Sequence, residues 1–113
     1  MDKVIRYHQW IKQAICKSPY YVYGSTGPEV ETLFFCDEAQ HCYHLLDLGW
    51  RGKERVNNTI LLVRIKNEKI WIEEDWTKEG VVTELMAGGV PKEDIVLAFN
   101  PPDLRELTEF AIA

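Results

Sequence analysis

Residues 59–74 have the sequence TILLVRIKNEKIWIEE, two β-branched runs separated by a short polar segment. Such runs on either side of a short turn are typical of a β-hairpin. We predict one strand over 58–66 and the next over 70–74. Two more strands are predicted upstream, at 30–36 and 42–50, and the short connections favour antiparallel pairing. The centre of the chain is therefore predicted to be a four-stranded antiparallel meander.

Helices are predicted before and after this meander. Asp2 is a good N-cap for a first helix, in which apolar side chains recur every three or four residues, and a loop is predicted to follow at 20–28. Thr77 is predicted to cap a second helix that ends near Ala87, and a short strand or extended segment is predicted at 95–99. The prediction is an α+β fold in which both helices pack on one face of the sheet.

The second face of this sheet is predicted to be apolar. In the third strand Ile60 and Leu62 point away from Leu61, because side chains alternate along a strand. Trp71 in the fourth strand points away from its isoleucine neighbours in the same way. An uncovered apolar patch usually marks an interface, so Trp71, Ile60 and Leu62 are predicted to contact a partner. The alternative, which the sequence leaves open, is that loops and the C-terminal tail cover this face.

Composition excludes several classes of protein. The 113 residues are 46% hydrophobic and 12% aromatic, which suits one domain over 1–113 with a real core and does not suit a disordered chain. The net charge of -5 argues against a free-standing nucleic-acid binder, which usually carries a basic surplus. No apolar run reaches the roughly 20 residues of a membrane span. The charged N-terminus lacks a signal-peptide pattern, so a cytoplasmic protein is expected.

A metal site is not predicted, although potential ligands crowd one hairpin. Their spacing matches no common zinc pattern, and no second ligand pair follows along the chain. The three cysteines are an odd number without regular spacing, so a disulfide framework is not expected either. The potential ligands in this hairpin are Cys36, Asp37, His41, Cys42 and His44.

Catalytic signatures are also missing from the sequence. Carboxylates cluster at 73–75, but no acidic residue is followed two positions later by the lysine that a restriction-type nuclease needs. The sequence has no Gly-x-Ser-x-Gly turn and no phosphate-binding loop. We therefore expect no catalytic residue, no cofactor and no enzymatic activity.

Three basic residues, Arg51, Lys53 and Arg55, lie close together after the second predicted strand. They are candidate contacts for a phosphate group or for an acidic partner. The alternative is a solvated loop, and this alternative is favoured over direct contact with DNA. Any contact with DNA is expected to be indirect.

Five runs of the sequence, taken together, are specific enough to indicate a protein family. They are YHLLDLGW at 43–50, KIWIE at 69–73, GVPKEDIVL at 89–97, FNPP at 99–102 and FAIA at 110–113. In this order, and with Arg55-Val56 after the first, they resemble the XisI family, whose members are described as fdxN element excision controlling factors. The resemblance covers essentially the whole chain. At Cys36, His41 and Cys42 the chain departs from the family's usual polar hairpin, which argues further against a metal site.

The resemblance implies an accessory role in programmed, site-specific excision of a DNA element. The family is mostly cyanobacterial and is linked to the development of nitrogen-fixing cells, the heterocysts. The recombination chemistry belongs to a separate serine recombinase, and XisI-like proteins act alongside a XisH-like partner whose fold resembles restriction endonucleases. The family supplies no established catalytic residue. It implies structural roles for Gly49 at a strand bend and for Trp50 and Trp71 in packing.

Three functions are compatible with these observations. The leading hypothesis is a non-enzymatic accessory factor that binds a XisH-like partner and also forms a homodimer. The second is an antitoxin-like inhibitor of a nuclease-like partner, in which the acidic surface of this protein mimics nucleic-acid charge. The third, from another class, is a small-molecule or metal-dependent enzyme that uses the hairpin at 36–44. The candidate residues for charge mimicry in the second are Glu73, Glu74, Asp75, Glu106 and Glu109.

Overall fold

Five β-strands form one sheet in the computed structural model, which describes residues 2–18, 21, 29–77 and 80–113. The loop predicted at 20–28 lies, except for residue 21, outside the described residues. Strands β1 to β4 pair antiparallel, and β5 pairs parallel with β4. The strands follow one another across the sheet in chain order: β1 (Val30–Asp37), β2 (Cys42–Arg51), β3 (Glu54–Lys66), β4 (Lys69–Asp75) and β5 (Ile95–Leu97).

The predicted α+β class is confirmed, but the sheet is larger than predicted. The antiparallel meander of four strands is present, and a fifth strand joins its edge through the pairs Ile70–Ile95 and Ile72–Leu97. A parallel neighbour needs a crossover connection, and the second helix supplies it. The strand or extended segment predicted at 95–99 was therefore correct in position. The predicted sheet of four antiparallel strands was incomplete, because it lacked this parallel fifth strand.

The hairpin between β2 and β3 is tighter than predicted. Arg51 pairs directly with Glu54, and Arg55 pairs with Trp50, so the polar segment at 51–55 belongs mostly to the two strands. The turn itself is Gly52-Lys53, with Gly52 at a φ of 65° that glycine adopts at little cost. A two-residue turn fixes the strand register, and β3 therefore starts well before the predicted position.

The first helix, α1 (Lys3–Cys16), begins as predicted, because the Asp2 side chain accepts a hydrogen bond from the Val4 N–H at 3.1 Å. The second helix, α2 (Val81–Ala87), begins later than predicted. Its first N–H, that of Val81, donates to the Asp75 carboxylate at 2.8 Å, so Asp75 takes the role predicted for Thr77. A short helix, α3 (Pro102–Arg105), follows β5. Among the described residues, no helix combines the length and apolar character that crossing a bilayer requires.

The hydrophobic core lies between one face of the sheet and the helices α1 and α2. Tyr7, Ile11 and Ile15 project from one stripe of α1, and Leu85 projects from α2. All four are at most 2% exposed. The sheet contributes the side chains that alternate inward along the central strands: Tyr43, Leu45, Leu61, Val63, Ile65, Ile70 and Ile72. Both longer helices therefore pack on one face, as predicted.

One polar cluster links α1 to the start of β5 at the edge of this core. The Tyr7 hydroxyl donates to the Asp94 carboxylate, and Lys3 Nζ lies 2.8 Å from the same carboxylate oxygen. Asp94 is only 9% exposed and belongs to a short 3-10 turn, Lys92–Asp94, that precedes β5. Its buried charge is thus satisfied by two donors from a different element.

Candidate functional site

The sheet face opposite α1 and α2 carries a row of apolar side chains. These side chains alternate along β1, β2 and β3 with the ones that point into the core. Among the described residues neither of the two longer helices packs on this side, and Phe35 at the β1 end is 52% exposed. We call it the uncovered face and define it by Leu33, Phe35, His44, Leu46, Leu48 and Leu62.

Cross-strand pairing makes the uncovered face continuous. Leu33 lies opposite Leu46, Phe35 lies opposite His44, and His44 lies opposite Leu62 in the next strand. The ring centroids of Phe35 and His44 are 6.4 Å apart. Phe35 is 52% exposed although it lies within a strand, while the three leucines are half-buried. A contiguous exposed apolar row of this kind is typical of a protein-binding surface.

Trp71 is not exposed on this side of the sheet, so that expectation is wrong. Only 8% of the residue is accessible, because the C-terminal segment covers it. The guanidinium carbon of Arg105 lies 5.6 Å from the Trp71 ring centroid, and Lys66 Nζ lies 4.9 Å from it. The indole N–H donates to the Lys66 carbonyl at 3.0 Å. Cover by the C-terminal tail, the alternative considered above, applies at this end of the sheet.

Arg105 holds the covering segment in place. Its Nε donates to the Asn100 carbonyl at 2.9 Å, and its two terminal nitrogens donate to the carbonyls of Ala98 and Ile112, each at 3.3 Å. One guanidinium therefore joins three parts of the segment while its flat face rests near Trp71. Only arginine presents enough donors in one plane to do this.

Replacing Arg105 with alanine is expected to lower the free energy of unfolding by about 2 kcal/mol, since it removes three hydrogen bonds and a cation–π contact. Backbone amides at 98–113 should then exchange hydrogen faster. Urea unfolding and hydrogen-exchange mass spectrometry measure both effects. Arg105→Lys, which keeps the charge and loses the planar fork, should give an intermediate result. Unchanged exchange at 98–113 in Arg105→Ala would show that the segment is held by other contacts.

Ile60 and Leu62 do not share a face as predicted. Leu45 pairs with Leu61 and Leu46 pairs with Thr59, so Ile60 is the extra residue of a β-bulge. A bulge interrupts strict alternation, and Ile60 packs against the core instead. Leu62 stays on the uncovered face. Its contact with a partner is still a prediction.

The three basic residues lie at one end of the uncovered face. Arg51 ends β2, Lys53 lies in the turn, and Arg55 lies near the start of β3. All three are exposed. The Arg55 guanidinium stacks 5.2 Å from the ring centroid of Trp50, which is itself 48% exposed. Trp50 and Arg55 lie opposite each other and continue the face of Leu48, whereas Arg51 alternates to the other side and pairs with the exposed Glu54.

The hairpin at 36–44 does not bring Cys36 together with the other potential ligands Cys42 and His44. Cys36 lies opposite Tyr43 and packs against the core, whereas Cys42 and His44 point to the other face. His44 Nε2 instead lies 2.8 Å from the Thr59 hydroxyl. Cys36 has a different neighbour that sequence analysis missed, His8 of α1. No spacing rule links them, because the contact arises only when α1 packs on the sheet.

Cys36 also lacks the electrostatics of a nucleophile. Burial raises the pKa of its thiol, and the positive charge of Lys12 offsets this only in part. A catalytic cysteine needs a lowered pKa, so that the thiolate is present at neutral pH. The raised pKa favours the protonated thiol, which is a weaker nucleophile than the thiolate.

The carboxylates at 73–75 have contacts within the chain. Glu73 forms an ion pair with Arg64 at 2.9 Å, and Glu74 accepts from the Trp76 indole at 2.8 Å. Asp75 binds the N-terminus of α2 through Val81. The three side chains thus serve three different purposes and do not converge on one point where a metal ion or water could be held.

A shallow groove of about 220 Å³ lies between α1 and α2, with Trp10, Lys17 and Glu84 in its walls. Sites for small molecules are usually larger, roughly 300–1,000 Å³, and combine apolar walls with a few converging polar groups. This groove is below that range.

The fold and the uncovered face define a class: a small α+β protein with a five-stranded mixed sheet, helices packed on one face and an apolar row on the other. The model of the XisI protein family matches residues 1–112. The chain therefore belongs to the XisI family. A comparison with curated proteins finds no match.

Two solved structures share the fold over nearly the whole chain. The crystal structure of fdxN element excision controlling factor XisI from Anabaena variabilis ATCC 29413 is 43% identical, with a TM-score of 0.87 over 99% of this chain and 100% of that one. A XisI-like protein from the same organism is 28% identical, with a TM-score of 0.89 over 97% of this chain and 99% of that one. The resemblance seen in the sequence is thus confirmed at the level of the family.

Proposed function

We propose that this protein is a non-enzymatic controlling factor for the excision of a DNA element, and that it acts by binding a partner protein. The observation that carries the proposal is full-length similarity to a protein described as an fdxN element excision controlling factor, at 43% identity.

The chemistry of the described residues supports a role without catalysis. The thiol of Cys36 has a raised pKa, the carboxylates at 73–75 are engaged separately, and the groove between α1 and α2 is small. Among the described residues, these observations therefore support a binding role over a nuclease, a cysteine enzyme or a small-molecule enzyme. In this proposal the recombination chemistry belongs to another protein.

The uncovered face is the surface that we assign to the partner. It is apolar around Phe35 and Leu62, and Arg55 supplies a positive charge at one end, near Arg51 and Lys53 of the hairpin turn. The matching surface is an apolar patch flanked by acidic side chains, since opposite potentials guide association and fix its orientation. We propose a XisH-like protein as the partner, with any contact to DNA made through it.

Co-expression with a XisH-like protein tests this proposal. The wild-type pair should co-purify at micromolar concentration, and Phe35→Asp should weaken the complex about 100-fold, which is typical when a central apolar contact is replaced by a charge. Leu107→Asp is the matched control, because Leu107 is 82% exposed but lies outside the uncovered face. Titration calorimetry and circular dichroism would measure affinity and folding for each variant.

The possible results test the identity of the partner and the contact surface separately. Failure of the wild-type pair to associate would contradict the proposal that a XisH-like protein is the partner. Equal weakening by Phe35→Asp and Leu107→Asp would contradict the uncovered face as the contact. The homodimer is a separate prediction, and sedimentation equilibrium of the isolated protein tests it. If copies associate through the same face, Phe35→Asp should shift the protein to monomer.

Inhibition by charge mimicry is less well supported. Of the five acidic candidates, Glu73, Glu74 and Asp75 are engaged within the chain, and Glu109 pairs with Lys92 at 2.9 Å. Side chains held in this way present less charge to a nuclease groove. An antitoxin-like role would require the partner to be toxic when expressed alone and harmless when co-expressed. If the partner is harmless alone, this alternative is excluded.

A further inference from the structure

Three potential metal ligands meet where α1 crosses the β1–β2 hairpin. They are His8 of α1, Cys36 of β1 and Glu38 of the following turn. One ligand atom from each lies within 4.8 Å of the other two. His8 and Cys36 are half-buried, and Glu38 is exposed. Nitrogen, sulfur and oxygen donors of this kind come together here from three separate segments of the fold.

We propose that His8 Nε2, the Cys36 thiolate and a Glu38 carboxylate oxygen bind one Zn²⁺ ion, with water as the fourth ligand. Zinc accepts this mixture of donors in tetrahedral geometry, at about 2.0–2.3 Å from each atom. Ligand atoms in such a site lie roughly 3.5 Å apart. His8 Nε2 and Glu38 Oε1 are already 3.2 Å apart. The remaining ligand separations are at most 4.8 Å, so small side-chain movements would bring all three atoms to an ion.

The orientation of His8 supports this assignment. Its Nδ1 lies 2.5 Å from the hydroxyl of Tyr43, a fully buried residue of β2. This contact holds the ring so that Nε2 is directed towards Glu38. In zinc sites the second nitrogen of a histidine ligand usually makes a hydrogen bond that fixes the ring, and Tyr43 serves as this positioning residue.

The charges also balance at the site. A thiolate and a carboxylate together carry two negative charges, which cancel the two positive charges of zinc. The Cys36 proton is released to solvent when the ion binds, as in other thiolate sites. A neutral cluster is suitable for a location that is partly buried, where an uncompensated charge would be costly.

The ion would connect α1 to the first hairpin. His8 already contacts Tyr43 and Glu38 of this hairpin, and a zinc ion would add a cross-link to Cys36 at the edge of the core. Since zinc binds the folded arrangement, it should raise the melting temperature of the protein. The ligands face the helix side of the sheet, so the site is separate from the uncovered face and does not depend on the proposed function.

Titration of chelator-treated protein with zinc chloride tests the site by calorimetry and thermal unfolding. We expect one ion per chain and a higher melting temperature. Cys36→Ala should weaken binding by more than about 100-fold, and Tyr43→Phe by about 10-fold, because ligand loss exceeds the usual cost of losing an outer hydrogen bond. Cys42→Ala is the matched control, since Cys42 lies on the neighbouring strand and points to the other face.

A second probe identifies the ligand directly. Co²⁺ in place of Zn²⁺ should produce a thiolate charge-transfer absorption in the wild type and in Cys42→Ala, and none in Cys36→Ala. The proposal is overturned if the wild type binds no zinc. It is also overturned if Cys42→Ala abolishes binding while Cys36→Ala retains it. Circular dichroism of the metal-free variants shows whether each is folded, and His8→Asn supplies a second ligand variant if Cys36→Ala is not.

Discussion

Gly49→Ala is expected to lower the free energy of unfolding by about 3 kcal/mol or more, the combined cost of backbone strain and a steric clash. Gly49 has a φ of 152°, and a Cβ atom there would lie 2.0 Å from the Glu29 carbonyl oxygen and 2.9 Å from the Val30 Cα. These are backbone atoms, so no side-chain rotation relieves the clash. The same carbonyl accepts the Trp50 N–H at 3.1 Å, which keeps the two strands close.

Urea unfolding of Gly49→Ala measures this loss, and the melting temperature should fall by roughly 10 °C. Gly52→Ala is the matched control. Gly52 has a φ of 65°, but a Cβ atom there meets nothing within 4 Å. Its substitution therefore carries only the conformational cost, about 1 kcal/mol. Equal losses in the two variants would mean that the close approach of Glu29 to Gly49 contributes nothing to the effect.

Local patterns made most of the fold predictable from the sequence. The hairpin at 59–74 alternates apolar side chains around a short polar turn, and the structure has β3 and β4 there. Asp2 has the capping side chain and caps α1. Both signals depend on residues only a few positions apart. The predicted strands and helices were therefore correct in type, and the differences lie mainly at their ends.

The uncovered face was harder to predict because it depends on register and tertiary packing. The bulge that turns Ile60 towards the core arises from the alignment of β3 with β2, which a single strand does not encode. The cover over Trp71 depends on Arg105 reaching three carbonyls and an indole from a later segment. The sequence predicted an apolar second face, and the structure limits its exposed part to β1, β2 and β3.

The potential metal ligands also could not be grouped correctly from the sequence alone. Sequence analysis assigned five potential ligands to one hairpin because they are close along the chain. Strand alternation separates Cys36 from Cys42 and His44, and the helix brings in His8. A rule that checks which hairpin residues face the first helix would have removed three of the five, Asp37, Cys42 and His44. Such a rule would not have found His8, because the distance between His8 and Cys36 depends on how α1 packs on the sheet.

Asp94→Ala is expected to cost about 2–3 kcal/mol, because it removes the acceptor for one buried hydroxyl and the partner of one ammonium group. Tyr7 is 2% exposed, so its hydroxyl would be left without its present acceptor inside the protein. Lys3 contributes less, since its side chain is 36% exposed and solvent screens its charge. Lys3→Met should accordingly cost less than about 1 kcal/mol. Urea unfolding of both variants at neutral pH compares the two contributions.

The pH dependence of stability gives an independent test of the same cluster. Burial would raise the pKa of Asp94, but the hydrogen bonds from Lys3 and Tyr7 outweigh it and lower the pKa below its ordinary value of 3.8. A lowered pKa adds stability above that value, and this contribution is lost as the pH falls through the native pKa. The difference in unfolding free energy between wild type and Asp94→Asn should be constant above about pH 5 and shrink below about pH 4. A difference that is equal at about pH 3 and pH 7 would mean that the charge of Asp94 does not stabilise the fold.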